Sequence, residues 1–215
     1  LSETREKPHG ELRVTTTVGI GANWLTPRLG EFMDLYPDVK VRVILSDDEL
    51  DLSMREADIA LRMREPSQPD LIRRRLFTVH YHLYASPAYL KRHGQPMAIE
   101  DLDRHRILAY GVPTASFLNN LNAALALGRD PKNPRTPAIT VNNINALRAA
   151  VDAGVGIAVL PDYMIEENSN LVQLLPQAVT PELESYLVYP EEMKGVARVQ
   201  VFRNFLIEKA QRWQF

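Results

Sequence analysis

The chain contains no cysteine. Disulfides, thiolate metal sites, cysteine nucleophiles and thiol-based redox sensing are therefore excluded. An excess of one charge sign is missing as well: 25 Lys and Arg against 27 Asp and Glu give a formal net charge of -2 and a pI near 6.3. Such a balance provides no basic footprint with which to grip nucleic acid. No apolar run approaches the length needed to span a bilayer, and the opening LSETREKPHG is polar throughout, unlike a signal peptide. The cytoplasm is the expected compartment. No GxSxG, P-loop, HExxH or GxGxxG pattern occurs, so an enzyme reading lacks the motifs that place a nucleophile, a nucleotide or a zinc ion.

Core material is plentiful. With 45% hydrophobic and 24% charged residues among 215, the chain has ordinary globular composition and a length that suits one bilobed unit or two small lobes. Residues 1–10 read as the end of a linker. Glu11 to Thr17 reads as a strand that runs through three threonines and glycines into a helix, where Ile20, Trp24, Leu25, Leu29, Phe32, Met33 and Tyr36 recur at helical spacing until Tyr36-Pro37. Val39, Val41, Val43 and Leu45 then alternate with polar residues as a half-buried strand, and Ala57 to Met63 makes a third, with a loop and short helix at Asp47 to Met54 between them. Strand and helix alternating in this way imply a mostly parallel sheet.

A long extended stretch, Leu71 to Ala85, leads to Ser86-Pro87, a helix cap followed by proline at the first helical position, and the crossing into a second lobe is expected there. Asp101 to Tyr110 reads as turn and strand, Ser116 to Leu127 as helix and Gly128 to Pro137 as loop. After a strand at Ala138 to Val141, Asn142-Asn143 caps a helix that buries Ile144, Leu147 and Val151 and stops at Gly154. Val155 to Leu160 is a buried strand, Asp162 to Glu167 helical, Leu171 to Leu175 extended, and Glu184 to Tyr189 a strand returning to the first lobe. The last helix, about Val196 to Trp213, sets Val199, Phe202, Leu206 and Trp213 on one side.

Chemical signals are sparse. Two readings stand at the first strand end: Thr16 and Thr17 make a plain helix cap, or with Gly19 and Gly21 they cradle a carboxylate or other polar group at the helix start. His80 and His82 share one strand face without a third metal ligand nearby. Asp47, Asp48, Glu49 and Asp51 lack calcium-loop spacing and read as a solvated turn, and Arg73 to Arg75 reads as surface. No metal and no cofactor is expected.

Taken together, GELRVTTTVGIGANWLTPRLGEFMDLYPDVKVRV, DLSMREADIALRM, LIRRRLFTVHYHLYASPAYLKRHGQP with DLDRH, and VNNINALRAAVDAGVGIAVLP with YLVYP resemble the effector-binding domain of LysR-type transcriptional regulators. The resemblance implies two α/β, Rossmann-like lobes of the periplasmic-binding-protein type joined by two crossing strands: lobe I from residues 11–86 and 188–215, lobe II from 87–187, with an effector between them. It implies effector contacts at Thr16, Thr17 and Val18, at Arg62, Met63 and Arg64, near Tyr110, and at Asn142 and Asn143. An arginine among these would grip an anion, unless Arg62 is tied up in a structural ion pair. It further implies a homodimer, tetrameric when full length, in which the helix around Phe32 and Met33 packs on the partner's helix around Val199 and Phe202. DNA would be bound only through a separate winged helix-turn-helix. A transport solute-binding protein and an enzyme on the same scaffold are the rival classes.

Overall fold

Leu12, Val14 and Thr16 alternate with Arg13 and Thr15 along β1 (Gly10–Thr16); the first set is buried, and toward the strand end Thr15 is buried as well. In the structure, a computed structural model, residues 6–48, 56–113, 115–178 and 180–215 are described. The short helix expected before Met54, and Glu49 and Asp51 of the acidic run, lie outside these residues. The chain packs as two compact units, one formed by residues up to Thr78 with Glu184–Gln214 and the other by Val79–Leu183 with Phe215.

In the first unit the helical stretch after β1 is continuous but irregular. It passes from α1 (Val18–Ile20) through a π-helical turn at Gly21–Leu25 and a 3-10 turn at Thr26–Arg28 into α2 (Leu29–Leu35). Glycine at 21 leaves room for Leu45, whose side chain would have to move to admit a Cβ there. β2 (Val39–Leu45) and β3 (Ile59–Arg62) flank β1 and run parallel to it. β4 (Leu71–Val79) completes the sheet together with a late strand described below.

The expected extended stretch from Leu71 to Ala85 is broken at His80. Beyond it, β5 (Tyr81–Ala85) pairs antiparallel with β8 (Ala158–Pro161) and β9 (Val172–Leu174) in a separate three-stranded sheet. The crossing therefore falls after Thr78 rather than at residue 86, because the ladder of β5 belongs to the second unit. That unit also holds α3 (Pro87–His93), whose N-cap Ser86 accepts from the Tyr89 N–H as its Ser-Pro signature predicts. A 3-10 turn at Ile99–Arg104 precedes β6 (Leu108–Tyr110), and the helix expected at Ser116 to Leu127 is a 3-10 segment, Ser116–Asn122, running into α4 (Ala123–Ala126). β7 (Ile139–Val141) pairs parallel with β6, and α5 (Ile144–Asp152) buries Ile144, Leu147 and Val151. The loop ahead of β7 is anchored by Arg135, whose guanidinium donates to the carbonyls of Ala124, Leu127 and Ile99 and to Asp103.

β10 (Leu183–Pro190) brings the chain back to the first unit, antiparallel to β3, and the five-stranded order there is β2-β1-β3-β10-β4. α6 (Ala197–Ala210) buries Val199, Phe202 and Leu206, and Lys209 pairs with Glu31 of α2 at 2.5 Å. Trp213 lies past the helix end, stacked on Phe77 with ring centroids 3.8 Å apart.

Three of the four side chains expected at a dimer interface are buried within the first unit. Phe32 and Phe202 are 0% exposed and Val199 1%. All three belong to the core of the first unit, and Met33 is half-buried. The helical spacing correctly identifies an apolar face, but α2 and α6 of the same chain cover each other with it. Among the described residues no helix is long and apolar enough to cross a membrane.

Candidate functional site

In the first unit the candidate residues gather where β1 and β3 end. Thr17 has an extended backbone and caps α1, its Oγ1 accepting from the Ile20 N–H at 3.4 Å. The Val18 N–H donates to Asp47 Oδ1 at 3.2 Å. A carboxylate of the chain thus already occupies this helix start, where the partial positive charge favours one. Asp47 is a capping group as well as part of an acidic turn. Thr15 spends its hydroxyl on the Ile44 carbonyl at 3.0 Å, whereas Thr16 Oγ1 is buried and has no hydrogen-bond partner among the described residues. That exception matters, because buried polar groups are as a rule paired.

Arg62 closes β3 opposite Tyr186 of β10 and is buried, as is Met63, while Arg64 is exposed. Both arginines already hold an interaction with a neighbouring group. The register sets Thr15 beside Ala60 and Tyr186 beside Arg62, so Arg62 and Tyr186 share a row near the carboxyl edge of the parallel strands, where β1 also ends. The basic cluster lies apart from this row, Arg73 donating to the Pro66 and Gln68 carbonyls and Arg75 pairing with Glu184.

In the second unit the corresponding edge is that of β6 and β7. The backbone N–H of Tyr110 donates to Asn122 Oδ1 at 2.8 Å and its carbonyl accepts from Asn122 Nδ2 at 2.9 Å, so one amide satisfies both backbone polar groups of this residue. The Tyr110 hydroxyl donates to the backbone carbonyl of Asn142 at 2.9 Å. Asn143 Oδ1 accepts from the N–H groups of Asn145 and Ala146 and is committed to capping α5. The Asn142 side chain is exposed and makes no hydrogen bond among the described residues. Of the asparagine pair, then, Asn143 builds the helix and Asn142 presents the unspent amide.

Comparison with known proteins matches the family described as LysR substrate binding domain over residues 5–211. The chain belongs to this family. An HTH-type transcriptional regulator of Xanthomonas campestris pv. campestris is 29% identical over 213 residues, which are 97% of this chain and 62% of that protein. The chain thus spans less than two thirds of the length of that relative. The regulator CrgA of Neisseria meningitidis is 30% identical over 95% of this chain and 68% of its own. Among solved structures, the CrgA regulatory domain superimposes with a TM-score of 0.81 at 28% identity, covering 94% of this chain and 100% of that one. Full-length AphB of Vibrio cholerae, a virulence activator of the same regulator class, gives 0.76 at 25% identity, over 94% of this chain and 69% of that one. The fold is the mixed α/β, periplasmic-binding-protein-like fold of LysR regulatory domains.

Within this LysR substrate-binding domain, two polar residues, Asp162 and Tyr84, escape a motif-based reading. Asp162 follows the last residue of β8 and accepts from His82 and Tyr84. His82 is thus paired with a carboxylate, while His80, expected on the same face, bonds the Phe215 carbonyl and Glu182. The signal that finds Asp162 is positional: it follows a strand end, as Asn142 does, while Tyr110 closes one. Among the described residues no cluster of three or more His, Asp or Glu is placed to hold a metal ion. Val112, two residues after Tyr110, has φ 52° and is 84% exposed, a strained conformation for a β-branched residue ahead of proline.

Proposed function

We propose that this chain is the effector-sensing and dimerisation domain of a cytoplasmic bacterial LysR-type transcriptional regulator rather than an enzyme, and that it binds a small polar or anionic metabolite. The family match over residues 5–211 carries the reading. Supporting it are the polar strand ends of each unit, with Thr16, Thr17, Val18, Arg62, Met63 and Arg64 in the first and Tyr110, Asn142 and Asn143 in the second. Ligands of α/β sheets bind at the carboxyl ends of strands, where loops carry unspent polar groups. Asp47 at the start of α1 moves the burden of anion binding from that helix to the arginines, whose planar guanidinium suits a carboxylate. The relatives are named as transcriptional regulators, which speaks against the transport reading.

In the intact regulator, effector binding alters DNA binding or activation through a separate winged helix-turn-helix, and the functional assembly is a homodimer or a tetramer built from it. A ligand biases such an equilibrium only through its differential affinity for the two arrangements.

Thermal denaturation against a panel of small carboxylates and neutral aromatic compounds tests this. A ligand at one hundred times its Kd adds about 2.7 kcal/mol to stability, enough to raise the Tm of a domain this size by several degrees. A response to neutral compounds alone would remove the anion from the reading. Light scattering is expected to show a dimer, and a strict monomer at high concentration would count against that assembly.

A further inference from the structure

Asp162 is held as a hydrogen-bond acceptor from two sides. Its carboxylate lies 2.8 Å from His82 Nδ1 through either oxygen, and Oδ1 accepts from the Tyr84 hydroxyl at 2.8 Å. His82 and Tyr84 are two residues apart on β5 and so share a face. Burial first, and then the neighbouring Asp162, push the Tyr84 hydroxyl well above the ordinary tyrosine range, so its proton stays on oxygen and donates. Among the described residues neither lysine nor arginine pairs with Asp162; its charged contact is His82 alone.

A carboxylate only accepts, so a neutral His82 carries its proton on Nδ1 and turns an Nε2 lone pair away from Asp162. Nε2 has no hydrogen-bond partner among the described residues, and the His82 side chain is 26% exposed. The cluster also sits at a functional edge of its own unit. The segments carrying Ile107 and Ile157 run parallel, and β6 and β7 are parallel, so the chain ends of β6, β7 and β8 point the same way, at Tyr110, Asn142 and Asp162.

We propose that His82 is an effector-reading residue whose Nε2 accepts a hydrogen bond from a hydroxyl of the ligand, with Asp162 and Tyr84 as positioning residues. The preferred effectors are then hydroxylated acids rather than their deoxy counterparts. This rests on the sensor function proposed above. A cluster that merely fastened β5 to the turn after β8 would leave ligand preference untouched.

Isothermal titration calorimetry at pH 8, where an ordinary imidazole is neutral, decides the matter with two probe pairs, lactate with propionate and mandelate with phenylacetate. The wild-type chain should bind the hydroxy member of a pair about tenfold more tightly, the worth of one unshared hydrogen bond. His82→Asn keeps a donor near Asp162 but deletes Nε2, and should make the two members equal while acid binding persists. Asp162→Asn removes the acceptor-only group that fixes the tautomer and should reduce the preference. Equal binding of both members by the wild type, which needs no variant to fold, overturns the inference and leaves the sensor reading standing. So does a preference that survives in His82→Asn. Binding of none of the four acids overturns the inference together with the small-carboxylate part of the proposed function.

Discussion

Phe32 and Phe202 meet edge to face, with ring centroids 5.1 Å apart, and both are fully buried between α2 and α6. Phe205 joins them at 5.3 Å from Phe32. This contact is internal to one chain. Phe202→Ala should therefore cost roughly 3–5 kcal/mol of folding stability, as large-to-small core substitutions do. The loss should be the same at low and high protein concentration in urea denaturation. A cost below about 1 kcal/mol, or one that appears only as dissociation of an assembly, would return these residues to an interface.

The two adjacent asparagines have separable roles. Asn143 accepts two backbone N–H groups at the start of α5, and Asn143→Ala should lower stability by about 1 kcal/mol, the ordinary worth of an N-cap. Asn142 contributes its backbone carbonyl to Tyr110, which alanine would retain. Asn142→Ala should then change stability by less than about 0.5 kcal/mol while weakening the response to effector. Equal destabilisation by both variants would mean that the Asn142 amide is a second cap and not a free ligand contact.

The elements that the sequence discloses are those with local causes. The first strand, helix and second strand, the Ser86-Pro87 start and the Asn143 cap each rest on a period or a capping residue a few positions away. What it conceals depends on distant partners. Leu71 to Ala85 reads as one strand because its apolar pattern is continuous, and the break at His80 exists only because β5 finds β8 and β9. Likewise the helical spacing of Phe32 and Phe202 reveals an apolar face without saying whether a partner or the same chain covers it. In the candidate site, the spacing of Thr16, Thr17 and Asn143 is visible in the chain. The capping of Val18 by Asp47 and the bond from His82 to Asp162 are not, since each joins residues far apart in sequence.

Acid should weaken the second unit before the carboxylates titrate. The Tyr89 hydroxyl accepts from the Arg106 N–H at 3.1 Å and lies 2.8 Å from His105 Nδ1. Burial, and then the nearby His93, hold the His105 imidazole below the ordinary histidine range; Arg104 acts in the same direction and Asp101 against it. A base with a depressed folded-state pKa is neutral in both states above about pH 6.5, so it makes no demand there. Below that value the unfolded chain takes up the proton first, and stability falls with pH. The carboxylates of Asp38, Asp101 and Asp103, held low by lysine, backbone and arginine donors, are lost only in a more acidic window. Chemical denaturation between pH 5 and 7 should show a downward slope on acidification that His105→Asn flattens. A slope unchanged in that variant would assign the effect to other groups.

Thr16 offers the sharpest contrast between stability and sensing. Its hydroxyl is buried at the end of β1 without a partner among the described residues, whereas its neighbours Thr15 and Thr17 both have one. A buried polar group without a hydrogen bond costs free energy, and an apolar group of the same shape does not. Thr16→Val should thus leave stability unchanged or raise it by up to about 1 kcal/mol, while Thr17→Val should lower it by about 1 kcal/mol through loss of the cap. If Thr16 serves the effector, the valine variant combines an unchanged or higher Tm with a weaker ligand-induced shift. That combination separates a residue kept for binding from one kept for folding, because a structural hydroxyl would lose stability first. A drop of more than 1 kcal/mol in Thr16→Val would show the hydroxyl to be satisfied within the protein and would remove it from the site.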